Sequence, residues 1–401
     1  MKLGIDRLLT EPELSAPLRG RRVAVLAHPA SVTSGLVHTL DAVAGLPDIR
    51  LTAAFGPQHG IRGDKQDNMV ETEDAIDPKH GIPVFSLYGK ARRPTSEMCE
   101  MLDVLLIDLQ DLGARIYTFL TTVLYALEAG ARHAKEVWIL DRPNPIGRPI
   151  EGTRLLPGNE SFVGASTLPM RHGLTLGEAA RWFVTRHGLD VKLQVVSMLG
   201  YNPHVAPGFG WCFGQIPWIN PSPNAASLNM GRCYPGTVLF EGTTLSEGRG
   251  TTAPLEVIGA PDIDRDQILA TMRNLRPDWL KGAYVRPCSF EPTFHKHTGM
   301  LCNGIQIHTD WRGYDHFVFR PYRLGNLFLK ALRVVHPHYP IWRNHPYEYT
   351  GGRLPIDVID GGPMLREWVD DPSSTFDERE AVLARDEAEW VDEINSVLLY
   401  P

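Results

Sequence analysis

The chain has 401 residues, 43% hydrophobic and 22% charged, with a net charge of -7 and a pI near 6.1. That length suggests about two domains with ample core, and the composition is that of an ordinary globular protein. The acidic balance offers no broad basic face, which argues against nucleic acid as a partner. In the N-terminal MKLGIDRLLTEPELSAPLRGRR, Asp6, Arg7, Glu11 and Glu13 interrupt any apolar core of signal-peptide length, and no later run is long enough to cross a bilayer. Membrane insertion is therefore not expected, and a cytoplasmic location is. The five cysteines are odd in number and scattered without a CxxC pair, which points to buried thiols rather than a disulfide framework or zinc site.

Taken in order, RVAVLA (22–27) is an apolar run of strand length followed by a helical pattern through Leu36, Leu40, Val43 and Leu46. Runs at 51–55, 83–87, 103–109 and 136–141 repeat the form, with a strongly helical segment at 117–134. Apolar strands alternating with helices predict a mostly parallel sheet covered on both faces. Residues 1–165 thus read as a Rossmann-like α/β domain. The first strand runs into HPASVTSG rather than GxGxxG, so no dinucleotide is expected. From about residue 166 the periodicity changes, and 166–401 read as a second, smaller α+β domain that completes a cleft. Helices are predicted from Thr175, from Asp262, over 320–335 and over 377–399, with strands at 282–286 and 304–309. The carboxylates of the last helix read as a solvated face.

Ligands of open α/β sheets bind beyond the carboxyl ends of the strands, and three such ends are chemically loaded. FGPQHGIRGD carries Gln58, His59 and Arg62; IDLQDLGARIYTF carries Asp111, Arg115 and Tyr117; LDRPNPIGRPIEG carries Asn144. His172 precedes a helix in a Gly-flanked loop, and Asn224 lies in a Trp-, Pro- and Gly-rich tract (208–228) whose rigid walls suit an amphipathic ligand such as a sugar. The stretch YPGTVLFEGTTLSEGRGTTAP (234–254) places Glu241, Glu247 and Arg249 among small, flexible residues and reads as a functional loop.

The combination of FGPQHGIRGD, PVFSLYG, DVLLIDLQDLGARIYTF, LDRPNPIG, IEG, SFVG, HGLTLGE, PSPN and YPGTVLFEGTTLSEGRGTT resembles the bacterial exo-β-N-acetylmuramidase family, from Gly4 to the final LLYP. The resemblance implies a Rossmann-like domain beside a smaller one, and a cleft that removes terminal N-acetylmuramic acid from the non-reducing end of a peptidoglycan-derived glycan. It also implies a departure: the family's usual P-E-H-G carries a glutamate where this chain has Gln58, whose amide cannot serve as a general acid or base. A non-hydrolytic amino-sugar binding or regulatory protein is the alternative that this departure raises.

Glycoside hydrolysis uses two carboxyl groups, or one with assistance from a 2-acetamido group of the substrate. Glu241 and Glu247 are the expected pair, with Gln58 and His59 beside them, and Gln58 suited to orienting the acetamide. Arg62, Arg115 and Arg249 suit the lactyl carboxylate through bidentate bonds. Tyr117, Asn144, Asn224, His172 and Asp111 complete the expected sugar contacts, with no metal and no cofactor.

Overall fold

The computed structural model describes residues 1–61, 63, 70–348 and 350–400. Its first sheet begins with β1 (Arg22–Ala27), β2 (Arg50–Gly56), β3 (Ala75–Ile76), β4 (Pro83–Ser86), β5 (Val104–Asp108) and β6 (Glu136–Leu140). A hairpin of β7 (Glu151–Arg154) and β8 (Pro169–Arg171) intervenes before β9 (Leu193–Val196) joins the first sheet as its seventh strand. The order is β3-β4-β2-β1-β5-β6-β9, with β3 an antiparallel edge and the rest parallel. Without that edge the strands follow the 3-2-1-4-5-6 order of doubly wound Rossmann-type sheets, as the sequence pattern predicts. Val25 at the centre of β1 faces Ala54 and Leu106 across its two ladders. Both faces of the sheet are buried, which is why its strands are continuous apolar runs. The sheet draws on chain beyond residue 165, where the change of periodicity suggests a boundary.

Helix α1 (Phe119–His133) follows β5, and α2 (Leu176–His187) precedes β9. α2 starts with a capping box: the Glu178 N–H donates to the Thr175 hydroxyl at 3.3 Å and the Thr175 N–H to the Glu178 carboxylate at 2.9 Å. The second half adds α3 (Leu228–Thr237), an antiparallel sheet of β10 (Val257–Ala260), β11 (Tyr284–Phe290) and β12 (Cys302–His308), and helices α4 (Pro321–Val335), α5 (Pro355–Asp360) and α6 (Phe376–Ile394). The α/β class with a second α+β part therefore matches the reading from sequence.

The stretch 234–254 is not a loop throughout. Its first residues complete α3, and Val238–Gly242 continue as a 3-10 turn. Its small residues serve close packing: a Cβ on Gly236 would lie 1.8 Å from the Pro321 carbonyl oxygen of α4, and one on Gly242 would lie 2.6 Å from the Ile356 nitrogen of α5. Only the later part is a true turn, with Gly248 and Gly250 at φ +78° and +83°. The carboxylates of α6 are not all solvated either. Glu380 and Glu387 grip Arg323 of α4 at 2.7 and 2.6 Å. The tail then returns to the first sheet, where the Tyr400 hydroxyl donates to Asp141 beyond β6 at 2.7 Å. Among the described residues no helix is long and apolar enough to cross a membrane.

Candidate active site

The reversal point of the first sheet, between β1 and β5, is filled by the protein itself. His28 accepts the Gln110 N–H at 2.9 Å, and Arg142 donates to Asp108 at 2.9 Å, with the Thr39 and Ser31 hydroxyls also donating to Asp108. The cavity is displaced sideways, to the end of β2. Gln58 and His59 after β2, Tyr117 and Thr118 after β5, and Met230 and Tyr234 of α3 line it, together with Glu241, Arg249, Tyr347 and Glu348. It measures about 30 Å³, space for a water molecule or two. A sugar ring enters only if its walls move apart.

Arg249 organises one wall. Its guanidinium donates to Glu241 at 2.5 Å and pairs with Glu247 at 3.2 Å, so two carboxylates already meet its charge. That arrangement suits orienting Glu241 rather than clamping a substrate carboxylate. Glu241 also accepts from the Tyr347 hydroxyl at 2.7 Å. Glu247, by contrast, lies behind the cavity and does not line it. Fully buried, it meets Lys296 at 2.6 Å and His295 at 3.4 Å besides Arg249. Burial alone would raise its carboxyl, but Lys296, His295 and Arg249 hold it well below the usual range. A carboxylate so held is unsuited to donating a proton, and its position outside the cavity lining sets it apart from Glu241.

A buried carboxyl that the sequence reading lacks, Glu348, also lines the cavity. The Tyr88 hydroxyl, distant in sequence, donates to its two oxygens at 2.9 and 3.2 Å. Burial pushes the Glu348 carboxyl up to about 7; the Glu241 charge adds to the rise, and Tyr88 and Arg92 oppose it. Two carboxyls in one cavity, one raised and one clamped by an arginine, form the division of roles that acid–base chemistry needs. Glu348 and His59 both hold left-handed backbone, at φ 45° and 70°. Such strain in non-glycine residues costs roughly 1–3 kcal/mol each and gathers at functional sites. The signal in sequence was weak: HPYEYTGG mixes aromatic, Pro and Gly residues around one carboxylate, as the central stretch does.

Gln58 and Tyr117 line the cavity. The Thr118 hydroxyl donates to the Gln58 side-chain oxygen at 2.8 Å, which leaves the amide nitrogen as the donor end, and Tyr117 meets Tyr234 edge-on at 6.0 Å. Four other expected contacts are structural. Arg115 is buried, with its guanidinium donating to the carbonyls of Thr153, Leu168, Ile359 and Asp360 at 2.7–3.1 Å. Asn144 donates to the Leu174 carbonyl at 3.0 Å and accepts the Ile146 N–H at 3.0 Å. His172 is fully buried and accepts the Leu174 N–H at 3.2 Å, while Asp111 accepts the Gly113 N–H at 2.6 Å. In each the side chain satisfies backbone that the loop would otherwise bury unpaired. Asn224 lines a neighbouring groove with Gly250 and Phe294. The aromatic tract before it packs inward, with Trp211 against Trp218 at 5.1 Å, instead of walling a ligand. Arg62 lies outside the described residues. Among the described residues no group of three or more His, Cys, Asp or Glu is placed to hold a metal.

The family models for the exo-beta-N-acetylmuramidase NamZ N-terminal and C-terminal domains match residues 23–229 and 232–400. The chain belongs to the NamZ family. It is 41% identical over 375 residues to the peptidoglycan beta-N-acetylmuramidase NamZ of Bacillus subtilis (strain 168), covering 93% of this chain and 85% of that protein. Two crystal structures of DUF1343 family proteins from Bacteroides fragilis NCTC 9343 share its fold. The first superposes with a TM-score of 0.86 at 28% identity, covering 100% of this chain and 99% of the other; the second gives 0.74 at 24%, covering 100% and 98%. The family models divide the chain at the start of α3.

Proposed function

We propose that the chain is a glycoside hydrolase that releases terminal N-acetylmuramic acid from peptidoglycan-derived glycans. The observation that carries this beyond family membership is the pairing in one cavity of Glu348, raised to about 7, with Glu241 held by Arg249 and Tyr347. A carboxyl that keeps its proton near neutrality can protonate a leaving oxygen, a role that Gln58 cannot fill. In the proposed reaction Glu348 gives its proton to the glycosidic oxygen as the bond to the anomeric carbon breaks. The leaving sugar departs as an alcohol, and water supplies the hydroxyl that replaces it. Glu241 faces the developing positive charge and accepts the water's proton, or steadies the ring while the substrate's acetamide attacks. In this scheme the Gln58 amide nitrogen, its oxygen engaged by Thr118, donates to that acetamide. The cytoplasmic setting expected from the sequence belongs to the same proposal.

The test is chromophore release from a β-N-acetylmuraminide, run beside the matching β-N-acetylglucosaminide. Turnover of the muraminide in preference is expected from the wild-type chain. Activity that appears only after Gln58→Glu would overturn the assignment of Glu348, and silence of both proteins on both substrates would overturn the hydrolase reading.

A further inference from the structure

A second buried cluster, none of whose members lines the cavity, gathers around Tyr314. Arg171 of β8, Arg232 of α3 and His316 are each no more than 5% exposed. The Arg232 guanidinium lies 4.5 Å from the centre of the Tyr314 ring, and the Tyr314 hydroxyl meets His316 Nδ1 at 2.9 Å. Arg171 Nη2 donates to the Ile146 carbonyl at 2.5 Å, and His316 reaches the next residue, where a Cβ on Gly147 would lie 2.6 Å from its Nε2. Arg232 donates through its terminal nitrogens to the carbonyls of Thr309 and Pro207 at 3.2 and 3.1 Å. Among the described residues, Arg171 Nε and Nη1, Arg232 Nε and His316 Nε2 have no hydrogen-bond partner. The carboxylate that faces Arg171 across the β7–β8 ladder, Glu151, is engaged elsewhere, accepting the N–H groups of Tyr322 and Arg323 at 3.1 and 2.7 Å.

We propose that these N–H groups hold a small inorganic anion of chloride's size and charge, which ties the two halves of the chain together. A buried guanidinium without a counter-charge is costly, and buried donors need acceptors. An anion answers both needs at once, through the charge-assisted class of hydrogen bond. His316 contributes a donor without adding charge. Burial, followed by Arg171, Arg232 and Arg320, pushes its ring down to about 2, and a neutral ring that accepts from the Tyr314 hydroxyl at Nδ1 carries its proton on Nε2. Phe209 stacks flat on His316 at 4.1 Å and Gly147 presses against its edge, crowding that favours a monatomic ion over a phosphate or an organic carboxylate. Arg171 belongs to the part matched by the N-terminal family model, and Arg232 and His316 to the part matched by the C-terminal one. The ion therefore sits at their joint.

The test is thermal denaturation of the full chain as chloride replaces gluconate at fixed ionic strength, with diffraction at the bromine edge from crystals soaked in bromide. A saturable rise in Tm of a few degrees with chloride is expected from the wild type. In Arg232→Met, which keeps the stem and removes the charge, that rise should vanish. A bromide peak is expected between Arg171, Arg232 and His316, and this measurement needs no variant to fold. Absence of that peak means that water alone serves the cluster and overturns the proposal. A peak without any chloride dependence of Tm marks binding at crystal concentration only, and overturns it as well. Neither result touches the hydrolase reading.

Discussion

Glu247 and Glu348 are buried to nearly the same degree, yet their surroundings drive them in opposite directions. Behind the cavity, Lys296, Arg249 and His295 converge on Glu247 and hold it as a carboxylate below the usual range. At the rim, Glu348 has a phenol donor and a like charge from Glu241, and it rises to about 7. Burial disfavours the charged form in both; what decides the sign is whether cations are present to offset it. On the proposed reading the first glutamate holds structure and the second moves a proton.

The sharpest way to break that contrast is Glu348→Gln. The amide keeps the shape and can still accept from Tyr88, so the fold should persist. Loss of a general acid is expected to lower kcat by roughly 10²–10⁴-fold. The pH profile gives the sign independently. Catalysis needs the protonated form of a carboxyl raised to about 7, so wild-type kcat/KM should fall as pH rises through that value. The residual activity of the variant should lack this alkaline limb. A limb that survives in Glu348→Gln would assign the titration to another group.

Glu247→Gln tests the other half by stability rather than chemistry. Removing one partner of a buried ion pair leaves the Lys296 ammonium without its carboxylate, while Arg249 keeps Glu241, at a cost of about 3–5 kcal/mol. Linkage fixes the pH dependence. The folded-state value lies below the ordinary value of a free glutamate, so its contribution is present above the unfolded value and is lost as pH falls through the folded one. Thermal denaturation should therefore show a large deficit for the variant at neutral pH that narrows in acid. A deficit of the same size at pH 3 and pH 7 would mean that Glu247 acts through packing alone.

The same contrast explains what was legible in the sequence. The doubly wound sheet was, because strands buried on both faces must be continuous apolar runs, as Val23 to Ala27 and Val104 to Ile107 are. Gln58, Tyr117, Glu241 and Arg249, which line one cavity, stand out in the sequence because they sit at strand ends or among glycines. Glu348 was not: Tyr88, which holds it, is 260 residues away, and only the fold shows that they meet. Arg115, Asn144 and His172 misled for a related reason. A polar side chain in a strand-end loop looks alike in sequence whether it serves a ligand or a backbone carbonyl, and here the carbonyls of residues as distant as Ile359 and Asp360 claim Arg115. Gly242 was read as serving a flexible loop or a ligand when close packing against α5 requires it.

The gentlest perturbation is Tyr347→Phe, which removes one of the donors to Glu241 and leaves the ring in place. Arg249 still orients the carboxylate at 2.5 Å, so the site should not collapse. A hydrogen bond to a charged group contributes about 1.5–3 kcal/mol, and one that positions a carboxylate toward developing charge counts for more in the transition state than in the ground state. The expected result is a fall in kcat of about ten-fold with KM little changed and with the alkaline limb still set by Glu348. If KM rises while kcat holds, Tyr347 contacts the sugar rather than Glu241, and the wall built on Arg249 has one partner fewer than the 2.7 Å bond implies.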